Sequence, residues 1–248
     1  MLETKILNQV FDGKCKQITF SRMVLSSRQG YNLIAPYYDA WKWQFFWRCN
    51  EWPYMEKWCN TLKIGRGADL GAGTGNNLKH FIDLGHQVVA YDISEMMLAI
   101  CKHKYTQEIA TRKLTCIVKD IKSLSIHQQE FDWMICNRVL SHISDVSTVV
   151  RRIARGLKQH GECFISDVHP LHDYDYTHFR IGEKDIIIET YKHSLKELNQ
   201  LFYKNGLSIV DFKEISQMDL FEKNIAHDFH SIKNETTPIF YYYILKKI

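Results

Sequence analysis

The chain has 248 residues, 45% of them hydrophobic, and a formal net charge of +4 at pH 7. This length and composition favour one folded α/β domain with a buried sheet and exclude a disordered chain. The charge is mild and no long block of Lys and Arg occurs, so nucleic acid is not an expected partner.

Seven cysteines are spread along the chain without a Cys-x-x-Cys pair, whereas a disulfide framework or a zinc site needs clustered cysteines. The longest apolar run, residues 239–245, is too short to span a bilayer. We therefore expect reduced thiols, no metal, no membrane partner and a cytoplasmic location.

Residues 1–60 form the first predicted unit, a helical cap or lid. Five of the six tryptophans lie in residues 31–59. Aromatic faces attract cations and shield a site from water. The same side chains would equally suit simple packing of the cap onto a core.

Residues 61–248 form the second predicted unit, in which apolar strands alternate with helices and therefore require a parallel sheet. A capped helix from Ser194 follows late in the chain. Residues 168–193 are predicted to be an insertion in this unit, which we expect to lie at the site of the molecule that the protein acts on. The predicted strands lie near residues 66–70, 87–91, 114–119, 131–136, 161–167, 207–215 and 238–246, and the other helices near residues 76–83, 94–104 and 145–158.

The stretch of residues 68–78 ends a short strand, places Gly71, Gly73 and Gly75 at alternate positions and then begins a helix. Glycine adopts positive φ and has no Cβ, so a ligand can lie against the backbone where the helix exposes unpaired N–H groups. The pattern predicts a nucleotide-cofactor loop. Asp92, at the end of the next strand, is suited to bind both hydroxyls of a ribose.

The spacing of the glycines distinguishes between two candidate cofactors, NAD and S-adenosylmethionine. The dinucleotide fingerprint is G-x-G-x-x-G, and Gly75 comes one residue too early for it. Asp69, two residues before the first glycine, would repel a pyrophosphate but suits a ligand that carries an ammonium group. S-adenosylmethionine is therefore favoured over NAD.

Residues 64–167 resemble the class I S-adenosylmethionine-dependent methyltransferases of the small-molecule type. Five stretches match the family's motifs in the expected order. They are the glycine loop at residues 69–75, the acid Asp92, the strand end at residues 118–121, the fourth strand and its loop at residues 131–143, and the fifth strand at residues 157–167.

The resemblance implies a Rossmann-like α/β fold, a doubly wound, mostly parallel seven-stranded sheet with an antiparallel last strand, beneath the aromatic-rich N-terminal helical cap. It also implies S-adenosyl-L-methionine as the cofactor. The implied cofactor-binding residues are Asp69, Gly71, Ala72, Gly73, Asp92, Ile93, Met96, Asp120, Ile121, Asn137 and Tyr38.

The methyl acceptor is expected beyond the carboxyl ends of the strands, where ligands gather in open α/β sheets. His142 follows the fourth predicted strand and His169 the fifth, so each is a candidate catalytic base for an acceptor that keeps its proton at neutral pH. Residues 167–178 are dense in titratable groups and form either an acceptor-binding loop or a polar surface loop without chemistry. The candidate acceptor-binding residues are Tyr37, Arg138, His172 and Tyr176.

The implied function is methyl transfer to a small molecule, by O- or N-methylation of a planar, phenolic or heterocyclic metabolite. The fourth strand continues into Asn137-Arg138-Val139 rather than the Asn-Pro-Pro-Tyr motif of enzymes that methylate planar amides and bases. Alternatives that stay open are a protein or RNA methyltransferase of the same fold, a non-catalytic cofactor-binding scaffold and an NAD-dependent oxidoreductase. We expect a monomer or homodimer.

Replacing Asp92 tests the cofactor assignment. Asp92→Ala should weaken cofactor binding by roughly 1 to 3 kcal/mol, because charge-assisted hydrogen bonds to the ribose are lost. Isothermal titration with S-adenosylhomocysteine measures the change. An unaltered affinity would contradict the assignment of Asp92 to the ribose.

Overall fold

A computed structural model describes residues 2–11, 14–222 and 236–248, with side chains from Arg22 onward. The strands are β1 (Leu2–Phe11), β2 (Lys14–Leu25), β3 (Arg66–Leu70), β4 (Gln87–Asp92), β5 (Leu114–Val118), β6 (Phe131–Asn137), β7 (Leu157–Val168), β8 (Tyr176–Ile181), β9 (Lys184–Glu189), β10 (Leu207–Ser216) and β11 (Pro238–Lys247). The helices are α1 (Ser27–Tyr38), α2 (Lys42–Asn50), α3 (Trp52–Cys59), α4 (Leu78–Asp83), α5 (Glu95–Lys104), α6 (Thr106–Ala110), α7 (Val146–Gly156) and α8 (Leu195–Lys204).

Seven strands form the main sheet, in the order β10-β11-β7-β6-β3-β4-β5. β11 is antiparallel to both of its neighbours, and the other pairs are parallel. The central strands are buried along nearly their whole length, as expected when helices cover both faces of a parallel sheet. The predicted α/β fold with a mostly parallel seven-stranded sheet is confirmed.

The chain order reverses between β3 and β6, which are neighbours in the sheet although β4 and β5 separate them in sequence. At such a switch point the loops leave adjacent strands in opposite directions and open a crevice at the carboxyl edge. The main sheet therefore places its ligand crevice where the glycine loop follows β3.

One predicted boundary is wrong. The helix expected to reach residue 158 ends at Gly156, and the strand expected from residue 161 begins at Leu157. Leu157 is extended and pairs with Phe131 of β6, so the chain enters the sheet immediately after the helix.

The amino-terminal 60 residues are only partly helical. Helices α1 to α3 cover residues 27–59, whereas β1 and β2 pair as an antiparallel hairpin in the region predicted to belong to the helical cap. β2 pairs in parallel with β9, and β9 pairs with β8, so the predicted insertion contributes a hairpin to the same four-stranded sheet.

Helix α1 is held between this second sheet and α5. Ser26 and Gln29 form a capping box at its first turn. Gly30 packs so closely that a Cβ there would lie 2.3 Å from Ile188 Cγ1 of β9. On the other side, the hydroxyl of Ser94 donates to the Asn32 side chain at 2.6 Å. These contacts fix one face of α1 over the carboxyl ends of the strands.

No helix within residues 2–11, 14–222 and 236–248 is long and apolar enough to cross a bilayer.

Replacing Trp133 of β6 tests how the core beneath this crevice is packed. Its ring stacks on Phe81 with the centroids 4.3 Å apart, and its Nε1 donates to His86 Nδ1 at 3.0 Å. Trp133→Ala should lower the free energy of unfolding by about 3 to 5 kcal/mol, because a fully buried ring is replaced by a cavity. Urea unfolding measures it, with Tyr203→Ala at an 83% exposed position as the control. A loss no larger than that of the control would contradict this packing.

Candidate functional site

A cavity of about 500 Å³, the main cavity, opens at the carboxyl ends of β3 to β6 beneath α1. Cofactor and small-molecule sites usually have about this volume. Nine of the predicted cofactor-binding residues line it together: Gly71, Ala72, Gly73, Asp92, Ile93, Asp120, Ile121, Asn137 and Tyr38.

The three glycines of the loop have different roles, although all three have positive φ. A Cβ on Gly71 would lie 2.3 Å from Val139 Cγ2, and one on Gly75 would lie 2.7 Å from Cys101 Sγ. A Cβ on Gly73 would meet only the edge of the Tyr38 ring, at 3.9 Å. Packing therefore requires Gly71 and Gly75, while Gly73 leaves open backbone surface for a ligand.

Asp92 lines the main cavity and connects the glycine loop to the start of α5. Its carboxylate accepts hydrogen bonds from the Gly73 N–H at 2.8 Å and the Ser94 N–H at 2.7 Å. Burial raises the pKa of Asp92. Each carboxylate oxygen has a further lone pair for a ligand hydroxyl, so this position is compatible with ribose binding.

Asp69 lies behind the glycine loop rather than on the cavity wall. It is 2% exposed, and its Oδ2 has no hydrogen-bond partner within the described residues. Burial, followed by the charge of Asp92, raises the pKa of Asp69 to about 8. An orphaned buried carboxyl oxygen and the open backbone at Gly73 together fit a ligand that brings positive charge to this loop, as S-adenosylmethionine does.

Arg138 joins the cap to the strand ends. The residue has a φ of 56°, and its N–H donates to Ser166 O of β7 at 2.7 Å. Its guanidinium pairs with the buried carboxylate of Glu51 and lies 5.2 Å from the centroid of the Trp47 ring. Glu51 also accepts from the Ser166 hydroxyl at 2.6 Å. Arg138 therefore lines the cavity from a fixed position.

His142 meets residues from the cap and the insertion. The Tyr31 hydroxyl lies 2.7 Å from Nε2, and Nδ1 lies 3.3 Å from the backbone oxygen of Glu189. Because a carbonyl only accepts, Nδ1 carries the proton and Nε2 accepts from Tyr31. Burial lowers the pKa of His142 to about 4, so the imidazole is neutral at pH 7.

A smaller space of about 40 Å³, the inner chamber, adjoins the main cavity between the cap and the insertion. Its walls are mostly aromatic, with a few polar groups. Five of its residues also line the main cavity: Tyr31, Tyr38, Gln44, Arg138 and His142. The remainder of its wall is Trp41, Trp43, Trp47, Ser141, Val168, His172, Tyr174, Thr177 and Ile239.

His172 is the polar group of the inner chamber that the protein leaves unsatisfied. The residue is 4% exposed, and neither ring nitrogen has a hydrogen-bond partner within the described residues. Burial lowers the pKa of His172, which favours the neutral ring. Since buried polar groups are normally hydrogen-bonded, this imidazole fits a partner that both donates and accepts.

Besides Asp69, four predicted residues lie away from these cavities. Tyr37 is 49% exposed because it points from the other side of α1 than Tyr38. Met96 is exposed as well, and its neighbour Met97 lines the cavity instead. Tyr176 lies on the outer side of β8 under the Arg22 guanidinium, whereas Thr177, next in the strand, faces the chamber.

His169 also lies away from the two cavities, and its environment does not suit a catalytic base. Its Nε2 donates to the Glu214 carboxylate at 2.8 Å, and its Nδ1 accepts from the Leu171 N–H at 3.1 Å. It lines a small separate space rather than the main cavity. Both nitrogens are therefore engaged within the protein, which leaves neither to receive a proton from an acceptor.

Tyr31 and Glu51 are site residues that the sequence did not single out. Tyr31 lies seven positions before Tyr38, a spacing that returns to the same helix face, so helical periodicity was a usable signal. Glu51 sits between two helices of the cap and had no such signal.

The chain resembles known methyltransferases in sequence and fold. A model of the Methyltransferase domain family matches residues 68–165. An uncharacterised methyltransferase of Bacillus subtilis, YcgJ, is 27% identical over 154 residues, which cover 60% of this chain and 59% of the relative. The ubiquinone biosynthesis O-methyltransferase of Coxiella burnetii is 28% identical over 108 residues, 44% of this chain and 45% of the relative. The chain thus spans about half the length of these relatives.

An S-adenosylmethionine-dependent methyltransferase structure from Clostridium acetobutylicum superposes with a TM-score of 0.64 at 17% identity, over 88% of this chain and 98% of the other. This likeness shows the fold. The family match ends before β8 and begins after α3, so the cap and the insertion lie outside it.

The raised pKa of Asp69 predicts proton release on binding. At pH 7 the free carboxyl is protonated, because its pKa of about 8 lies above that pH. A bound ammonium group favours the carboxylate, so binding of S-adenosylhomocysteine should expel a proton and tighten as the pH rises toward 8. Titration calorimetry in buffers of different ionisation enthalpy measures this proton. Asp69→Asn cannot titrate, and equal proton release from that variant would refute the prediction.

Proposed function

Because residues 68–165 match the Methyltransferase domain family, we propose that the chain is a class I S-adenosylmethionine-dependent methyltransferase and that it methylates a small-molecule acceptor with S-adenosyl-L-methionine as the methyl donor. The proposed acceptor is a planar phenolic or heterocyclic metabolite, methylated on oxygen or nitrogen. The observation that carries the proposal is the aromatic inner chamber, which meets the main cavity at the hydrogen-bonded pair Tyr31 and His142.

The loops after β3 to β6 would hold the cofactor. Asp92 is suited to the ribose hydroxyls, the open backbone at Gly73 to close approach, and Asp120 with Ile121 to the adenine. When bound, the cofactor supplies an electrophilic methyl group on a positively charged sulfur. The protein then has to hold an acceptor within about 3 to 3.5 Å of that methyl and in line with it.

The dimensions of the inner chamber limit the acceptor. The inner chamber has a volume of about 40 Å³, which is room for only a few water molecules. It is therefore too small to hold an aromatic ring of the acceptor. We infer that the acceptor's ring lies at the mouth, against Tyr31 and Tyr38, while a substituent enters the chamber. This limit does not favour a protein or RNA acceptor.

Proton removal would pass through Tyr31 to His142. Burial raises the pKa of Tyr31 well above its usual value, so its hydroxyl stays protonated and relays rather than acting as a phenolate. As an acceptor hydroxyl gives its proton to the Tyr31 oxygen, Tyr31 gives its own to His142 Nε2. The Glu189 carbonyl on Nδ1–H keeps the ring oriented for this transfer.

His172 would recognise a second polar group of the acceptor. Its neutral ring offers one donor and one acceptor inside the chamber, which matches a hydroxyl substituent. The Coxiella burnetii relative is named as an O-methyltransferase, and that favours oxygen as the methylated atom here.

Calorimetric titration of the purified chain with S-adenosylhomocysteine, beside NADH, tests the cofactor. Binding of the former alone supports the proposal and justifies a screen of phenolic and heterocyclic acceptors for methyl uptake. Binding of NADH instead, or of neither compound, rejects it. Binding without methyl uptake by any class of acceptor would support a cofactor-binding scaffold.

The relay has its own test once an acceptor is found. Tyr31→Phe and His142→Gln should each lower kcat for a hydroxyl acceptor by about 100-fold, the usual contribution of a positioned base, and leave S-adenosylhomocysteine affinity within a factor of a few. Tyr37→Phe, on the same helix but away from the cavity, is the matched control. Unchanged kcat in both relay variants would show that the proton leaves by another route.

A further inference from the structure

Two thiols approach each other on the far side of the glycine loop. Cys101 of α5 and Cys116 of β5 are both free, and their Sγ atoms are 3.8 Å apart. The function proposed above uses neither of them. Cys101 is buried and Cys116 is half-buried, so one thiol of the pair is open to reagents.

The half-buried thiol faces a surface cavity. This cavity has a volume of about 410 Å³, and Cys116 forms part of its wall. The exposed side chains of Lys102 and Arg112 line the same cavity, which gives it a positive edge. The hydrogen bond between the thiols lowers the pKa of Cys116, and the charge of Lys102 lowers it further. Cys116 is thus the better nucleophile of the two.

We propose that Cys101 and Cys116 form an oxidation site for anionic low-molecular-weight disulfides, and that its oxidation state controls the glycine loop. The Cys116 thiolate attacks one sulfur of the small disulfide, forming a mixed disulfide and expelling one small thiolate, which takes up a proton. The Cys101 sulfur then attacks the Cys116 sulfur, the bond from Cys116 to the small thiol breaks, and the expelled second thiolate takes up the proton that Cys101 loses. The protein thereby loses two protons and two electrons, and the small disulfide becomes two thiols.

The coupling to the glycine loop follows from contacts of Cys101. Cys101 packs directly against Gly75, since a Cβ added to Gly75 would lie 2.7 Å from Cys101 Sγ. The hydroxyl of Tyr105, which directly follows α5, donates to Gly75 O at 2.8 Å. A disulfide bond is about 2.05 Å long, so the sulfurs must close much of their present 3.8 Å separation. That movement draws Cys101 away from its place under Gly75 or shifts β5.

β5 is the strand that can move, because it lies at the edge of the main sheet and, among the strands that the structure describes, pairs with β4 alone. It also leads directly into Asp120 and Ile121, which line the main cavity. Either movement therefore alters a wall of the cavity. The effect on ligand affinity rests on the proposed function, whereas formation of the disulfide does not.

Peptide mass mapping after incubation with oxidised glutathione tests the first step. The reduced full-length chain should lose two hydrogen atoms in mass, with the Cys101 and Cys116 peptides linked, and dithiothreitol should reverse the change. Cys116→Ser should stay unlinked, and Cys49→Ser, at another half-buried free cysteine, should link like the parent protein. Absence of this link, or a stable glutathione adduct on Cys116 in its place, overturns the proposal.

Titration with S-adenosylhomocysteine tests the second step. The oxidised protein should bind at least about 5-fold more weakly than the reduced protein, the lower end of ordinary coupling between two sites. Cys101→Ser and Cys116→Ser should bind equally before and after oxidant. A linked protein with unchanged affinity overturns the control of the loop. If the reduced protein does not bind the ligand, the proposed function fails, while the mass measurement still decides the oxidation site.

Discussion

The buried ion pair between Arg138 and Glu51 is the interaction on which the site depends. It joins a residue at the end of β6 to the junction of α2 and α3, with Ser166 and Trp47 completing its surroundings. Buried pairs of this kind add little net stability, but breaking one by removing a single partner typically costs about 3 to 5 kcal/mol. The pair therefore fixes where the cap sits rather than how firmly the core folds. Trp47, which forms part of the aromatic wall of the inner chamber, lies against this pair.

The two halves of the site follow different physical rules. The half proposed to bind the cofactor is built from loops at the ends of neighbouring parallel strands, where backbone N–H groups, glycines and acids converge because the sheet topology brings them together. The half proposed to bind the acceptor is assembled from three distant segments of the chain, as the contacts of Tyr31, His142 and the Glu189 backbone oxygen show. Methyl transfer requires that both halves meet within bonding distance, and Tyr38 and Arg138 belong to both.

The difference explains what could be predicted from sequence. Gly71, Gly73, Asp92 and Asp120 were identifiable because each ends a strand or closely follows one, and the carboxyl ends of parallel strands share one edge. Tyr37 and Tyr38 were both predicted although they point to different sides of α1, because the side that turns inward depends on Gly30 packing against β9. Once Tyr38 is known to face the cavity, its spacing of seven residues from Tyr31 places that residue on the same face. His169 and His172 looked alike in a loop dense in titratable groups. Only the packing showed that the first is satisfied by Glu214 and Leu171 while the second is left open to the chamber.

The pairing of β2 with β9 affects the order in which parts of the chain fold. Its register joins Ser21 to Lys184, so β3 to β7 of the main sheet lie between the two strands along the chain. Contacts so remote in sequence carry a high cost in loop-closure entropy and tend to form late. During synthesis the strand ends proposed to hold the cofactor are made before residue 184 emerges. A nascent chain would thus complete the proposed nucleotide pocket before the segment proposed to select the acceptor.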